Sequence, residues 1–182
     1  MAKIRACWAV LCFWQVATKT QIRSEDYLRM TFEHDAEFVR GELVERAMPD
    51  LNHGRIQGLL FAQFENLRRS HGLYACVETR MKVAEDVYRL PDVGVFAGPT
   101  SQQVPDQPPL VAIEILSHDD RHLDLMQNLE EYRQWGVPHI WVVNPLTKGF
   151  AVYTEFGLQN VSSLSLPGYP LELTPAELFA NL

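Results

Sequence analysis

Leu110-Val111-Ala112-Ile113-Glu114-Ile115-Leu116-Ser117 is the stretch that most narrows what this chain can fold into. A near-continuous apolar run of this length reads as a strand covered on both faces. A carboxylate inside such a strand is costly unless it is paired or bound to a metal. Glu114 is therefore a candidate site residue from its setting alone. A second apolar run with one internal carboxylate, Arg89-Leu90-Pro91-Asp92-Val93, lies upstream, and Asp92 is the natural partner. Two carboxylates on adjacent strands are the smallest protein ligand set for Mg²⁺, which completes its shell with water and substrate phosphate.

The chain has 182 residues, enough for one domain with a sizeable core. Its net charge of −7 argues against a broad electrostatic surface for nucleic acid, which needs clustered Lys and Arg. Arg55, Arg68, Arg69 and Arg80 are the residues available for a local phosphate-facing rim. Cys7, Cys12 and Cys76 have no metal-ligand spacing and read as reduced thiols of a cytoplasmic protein.

Residues 1–17 differ in character from the rest of the chain. Lys3 and Arg5 precede an apolar run from Ala6 to Trp14, as in a signal peptide. No small-x-small cleavage site comes after it, and the run is too short to span a bilayer. A start-site artefact with initiation at Val16 and a packed extension are the other readings. The expected division is an atypical extension over 1–17 and a folded domain over 18–182.

Ser24 to Met30 reads as a short helix capped by Ser24. Residues 36–40 and 42–46 read as a hairpin or bent strand hinged at Gly41. From Asn52 or His53 to Arg69 the period is helical, with Ile56, Leu59, Leu60, Phe64 and Leu67 on one face, and Gly72 suits the exit. Residues 77–83 alternate as one half-buried strand. Tyr88 to Phe96 is expected to be the next strand, with Asp92 inside it. A Pro-rich loop leads to the Glu114 strand, a helix ending at Gly136, a strand over 139–143 and its partner over 150–153. Trp135, Trp141 and Tyr153 read as core. The tail carries a short helix after Thr174-Pro175. A strand–helix–strand unit over 110–143 favours a parallel pair, and neighbouring strands elsewhere favour antiparallel pairing. The expected class is α/β, a mixed sheet flanked by helices.

Several stretches occur in one order: Gly41-Glu42-Leu43-Val44-Glu45, His53 opening a long helix, Pro91-Asp92-Val93, Ile113-Glu114-Ile115-Leu116-Ser117, Asp124-Leu125, Tyr132, and Gly136-Val137-Pro138 running into Ile140-Trp141-Val142-Val143-Asn144-Pro145. Together they resemble the PD-(D/E)XK restriction-endonuclease-like superfamily, and within it the Uma-two family of endonucleases. The resemblance covers nearly all of the chain after Thr18. It implies a restriction-endonuclease-like fold, an α-β-β-β-α-β core with an N-terminal β-hairpin. It also implies hydrolysis of DNA phosphodiester bonds with Mg²⁺ or Mn²⁺.

By the same resemblance Asp92 and Glu114 match the metal ligands, with the Ile115 carbonyl as a further ligand and Glu42 as a further acidic contributor. His53 is a candidate because it starts a helix beside the acidic turn. The superfamily's lysine is absent two residues after Glu114, where Leu116 stands. The family's alternative place for it, on the following helix four residues before the tyrosine, holds Asn128. Asn carries no charge but can hydrogen-bond water or phosphate. Lys82, His53 or Arg121 could substitute. There are two rival readings: an inactive descendant that binds nucleic acid or protein, and a metal-dependent enzyme on another phosphoester. Cleavage of both strands would call for a homodimer. No segment reads as a membrane anchor.

Overall fold

The computed structural model describes residues 21–32, 36–46, 48–117, 122–180 and 182; the extension over 1–17 and Arg121 lie outside them. In chain order the elements are α1 (Ser24–Arg29), β1 (Ala36–Val39), β2 (Glu42–Glu45), α2 (Leu51–Asn66), α3 (Arg68–His71), β3 (Tyr74–Val77), β4 (Met81–Ala84), β5 (Val87–Arg89) and β6 (Val93–Phe96). They continue with β7 (Val111–Ile115), α4 (His122–Trp135), β8 (His139–Asn144), β9 (Gly149–Thr154), β10 (Gly157–Val161), β11 (Leu164–Ser165), β12 (Glu172–Leu173) and α5 (Pro175–Leu178). The expected α/β class and N-terminal hairpin are present. β1 and β2 pair antiparallel around Arg40 and Gly41, both at positive φ.

The strands form two principal sheets. The larger has the order β10-β9-β8-β7-β6-β3, and the smaller, β2-β1-β5-β4, is antiparallel throughout. Within the larger sheet only β7 and β8 run parallel, joined by α4 as the crossover, so the sheet is mixed. Such a connection needs a long return path, which the helix supplies.

Two expected strands are each broken in two. The run over 77–83 leaves the large sheet after Val77, turns at Glu78 with φ 45, and enters the small sheet as β4 at Met81. The run over 88–96 goes the other way, ending β5 at Arg89 and starting β6 at Val93. Asp92 is thus not inside a strand; it sits in the step between the sheets. Pro91 gives a reason for the break, since it has no N–H for a ladder.

The large sheet buries apolar residues on both faces. Val111, Ile113 and Ile115 share one core with Ile56, Leu60 and Phe64 of α2. Ala112 faces the other core, with Leu129 and Tyr132 of α4 and with Val83 and Val87 of the small sheet. Period-two alternation assigns Glu114 to the Ala112 side, toward α4. A third cluster, Tyr27, Phe38 and Tyr88, packs α1 on the small sheet.

Smaller expectations shift. Arg23, not Ser24, is the α1 N-cap residue, without a side-chain cap. Leu59 is exposed, and the buried stripe of α2 is His53, Ile56, Leu60 and Phe64. Gly72 ends α3 in the left-handed conformation. Thr174 and Glu177 form a reciprocal capping box at α5.

Candidate functional site

β6 and β7 pair antiparallel with Val93 opposite Ile113. Extending that register by one residue sets Asp92 across from Glu114. Both are buried, at 2% and 7% exposure. A carboxylate beside the end of β7 can take its first unpaired backbone donor, and Asp92 does so. Its Oδ2 accepts from the Ile115 N–H at 2.6 Å.

The other Asp92 oxygen, Oδ1, faces two side chains. Arg46, just past the end of β2, donates to it through Nη2. His53 Nε2 lies 3.3 Å away, and His53 Nδ1 is 3.3 Å from Ser117 Oγ. Helix α2 is aimed by the Asp50 side chain, which accepts from the His53 N–H at 2.8 Å. One turn on, Gln57 Nε2 donates to the Asp92 carbonyl at 3.0 Å. Residues four apart share a helix face, so α2 grips Asp92 at both side chain and backbone.

Glu114 has a different neighbourhood. Its Oε1 accepts from the buried Tyr132 hydroxyl of α4 at 2.7 Å. Burial, then the nearby Asp92 charge, push its carboxyl well above the usual range, against the pull of Arg46. Burial acts on Asp92 in the same direction. There the His53 hydrogen bond, the Arg46 and His53 charges and the Ile115 N–H prevail and hold the carboxyl below its usual value. Burial opposes charge on Arg46, but Asp92, Glu114 and Glu37 keep its affinity for protons above normal. One cationic arginine therefore faces two carboxylates, and Glu114 is the one left short of compensation.

Asn128 lies one turn before Tyr132 on α4. It lines a cavity of about 360 Å³ between the β1–β2 hairpin and α4, with Arg40, Glu42, Arg89, Asp124 and Gln127. Its Oδ1 is buried without a hydrogen-bond donor. Glu42 opens onto this same cavity. The structure thus places Asp92, Glu114 and His53 together, and Asn128 and Glu42 around the adjoining space, with Tyr132 reaching from the Asn128 helix to Glu114.

Of the proposed lysine substitutes, Lys82 lies on β4 at the edge of the small sheet, His53 is in the site, and Arg121 lies outside the described residues. Arg46 was missed in the sequence. It comes after a largely exposed strand, and no periodicity distinguishes it from a solvated residue; only the approach of the hairpin to the β6–β7 step brings it to Asp92. Among the described residues no three or more His, Cys, Asp or Glu side chains gather as a metal cluster. No helix among them is long and apolar enough to cross a membrane.

The fold is thus a two-sheet α/β architecture in which two buried carboxylates face each other where the sheets meet. The Uma2 (Uma-two) family model, described as a putative restriction endonuclease, matches residues 24–178, and the chain belongs to that family. Among solved structures, the chain is similar in fold to a protein from Anabaena variabilis described as a putative nuclease. The TM-score is 0.76 at 21% identity, covering 86% of this chain and 96% of that one. A comparison with curated proteins gives no match.

Proposed function

We propose that this chain is a divalent-metal-dependent endonuclease acting on DNA, with Asp92 and Glu114 holding Mg²⁺ or Mn²⁺. The observation that carries this reading is the facing of two buried carboxylates across the β6–β7 step, with Glu114 short of positive charge. The donor set fits a small hard cation. All donors are oxygen, the Ile115 carbonyl is adjacent in sequence, and a protein share of one or two carboxylates is usual for Mg²⁺. Bound there, the ion would polarise a phosphodiester and stabilise the charge that develops on it.

The chain's own residues supply the rest. His53 and Ile115 orient Asp92, and Tyr132 orients Glu114. Asn128, with its unused Oδ1, can position water or a phosphate-bound hydroxyl but cannot take up a proton as a lysine amine would. Glu42, which lines the adjoining cavity, would contribute a further acidic group from there. Cutting both strands would require two copies of this site, hence a homodimer, and the reduced-thiol reading suits a cytoplasmic setting.

The test is a plasmid-cleavage assay with Mg²⁺ and Mn²⁺. Wild type should nick DNA, Glu114→Ala should not, and Asn128→Lys should cleave faster than wild type. Metal-dependent cleavage that persists in Glu114→Ala would overturn the reading. A second reading is favoured by two observations, Asn128 in the lysine place and Arg46 seated on Asp92. It makes the chain an inactive descendant that binds nucleic acid or protein. Absence of cleavage in both wild type and folded Asn128→Lys would select it.

A further inference from the structure

We infer that Arg46 is the resident counter-cation of the carboxylate pair, and that its guanidinium and a divalent ion are alternative occupants of the Asp92 carboxylate. This rests on the metal-binding reading above and adds the residue that governs loading. The Asp92 oxygens are already supplied by the protein. Oδ1 faces Arg46 Nη2 and His53 Nε2, and Oδ2 takes the Ile115 N–H. A carboxylate offers about four lone-pair sites in all, so three are engaged. An ion taking the remaining one would arrive beside the guanidinium, with little water between them to screen two like charges. An ion taking Oδ1 would have to displace the guanidinium outright.

The surroundings allow such a displacement. Arg46 stands after the end of β2, at the margin of the small sheet, and its side chain is 20% exposed against 2% for Asp92. Its guanidinium hydrogen-bonds to Asp92. By contrast Arg89, whose side chain is 3% exposed, is held by Glu37 on one side and Glu131 on the other. Among the described residues, Arg46 is thus a cation with one hydrogen-bonded carboxylate and an outlet to solvent. Once displaced, it stays at the rim of the site, where a guanidinium suits a phosphate oxygen pair. Arg46 is on this account a positioning residue: it balances the carboxylate pair within the fold, and it sets how tightly the pair takes an ion.

Titration calorimetry with Mn²⁺ alone, on the full chain, tests this. Arg46→Gln should bind Mn²⁺ about tenfold tighter than wild type, because one opposing positive charge is gone. Arg46→Lys, which keeps the charge, should stay close to wild type. Unchanged or weaker affinity in Arg46→Gln overturns the inference. If Arg46→Gln is unfolded in chelator, its refolding on Mn²⁺ addition, monitored by circular dichroism, supports it, and failure to refold at saturating Mn²⁺ overturns it. Asp92→Asn separates the two levels. Loss of binding there with unchanged Arg46→Gln affinity removes this inference alone. Wild-type affinity in Asp92→Asn removes the metal-binding reading and this inference with it.

Discussion

Two buried ionic groups reach α4, one through Glu131 and one through Tyr132, and they are built on different plans. In one, Arg89 donates to Glu37 at 2.6 Å and to Glu131 at 2.7 Å, the Leu90 N–H adds a bond to Glu37 at 3.0 Å, and Arg40 approaches Glu131 at 3.4 Å. Two carboxylates meet two guanidiniums, and β1, β5 and α4 are tied together. In the other, Arg46 and His53 both meet Asp92, while Glu114 feels the Arg46 charge and has a neutral phenol on Oε1. The first group is closed and its charges cancel. The second is short of positive charge, on the side where Glu114 lies. A buried charge that is fully matched serves the fold, whereas one left unmatched carries a cost that a ligand can relieve.

Substitutions can break or sharpen this contrast. Arg89→Ala strands two carboxylates in the interior and should cost about 3–5 kcal/mol in urea unfolding; a loss well below that would mean the network is not the closed brace described. Tyr132→Phe removes the hydroxyl that serves Glu114 and should cost about 1–2 kcal/mol, measured the same way. As a reference outside both groups, Thr174→Ala opens the α5 capping box for about 1 kcal/mol, with no change in Mn²⁺ binding. Glu114→Gln should have the smallest effect on stability. Gln still accepts from Tyr132 and relieves repulsion with Asp92, so unfolding should move by less than about 1 kcal/mol in either direction. Mn²⁺ affinity should fall in the same variant, by calorimetry. If Glu114→Gln destabilised the chain as much as Arg89→Ala, the two groups would be alike and the site reading would lose its physical ground.

Much of the fold is legible in the chain. The helical period of α2, the apolar run of β7, the exits at Gly72 and Gly136 and the hairpin at Gly41 all lie where local physics puts them. The failures are local too. Residues 77–83 alternate as one strand would, yet Val77 is the last residue of β3 and β4 starts only at Met81; nothing in the period marks a change of partner sheet at Glu78. Leu59 belongs to the apolar face by spacing, yet it remains 41% exposed.

For the site, Glu114 was visible as a charge inside an apolar strand and Asp92 as a charge after Pro91. Their facing depends on the β6–β7 register. That Asp92 stands in the step between two sheets, where Arg46 and His53 can both reach it, depends on where the hairpin and α2 dock.

By itself the sequence determined the elements and the two costly carboxylates, since periodicity and burial cost act over a few residues. Only the tertiary structure decided which cations meet them. Pairing energies depend on distance and solvent exposure, and residues 46, 53, 92, 114 and 132 become neighbours only when the two sheets and two helices close around one step in the chain.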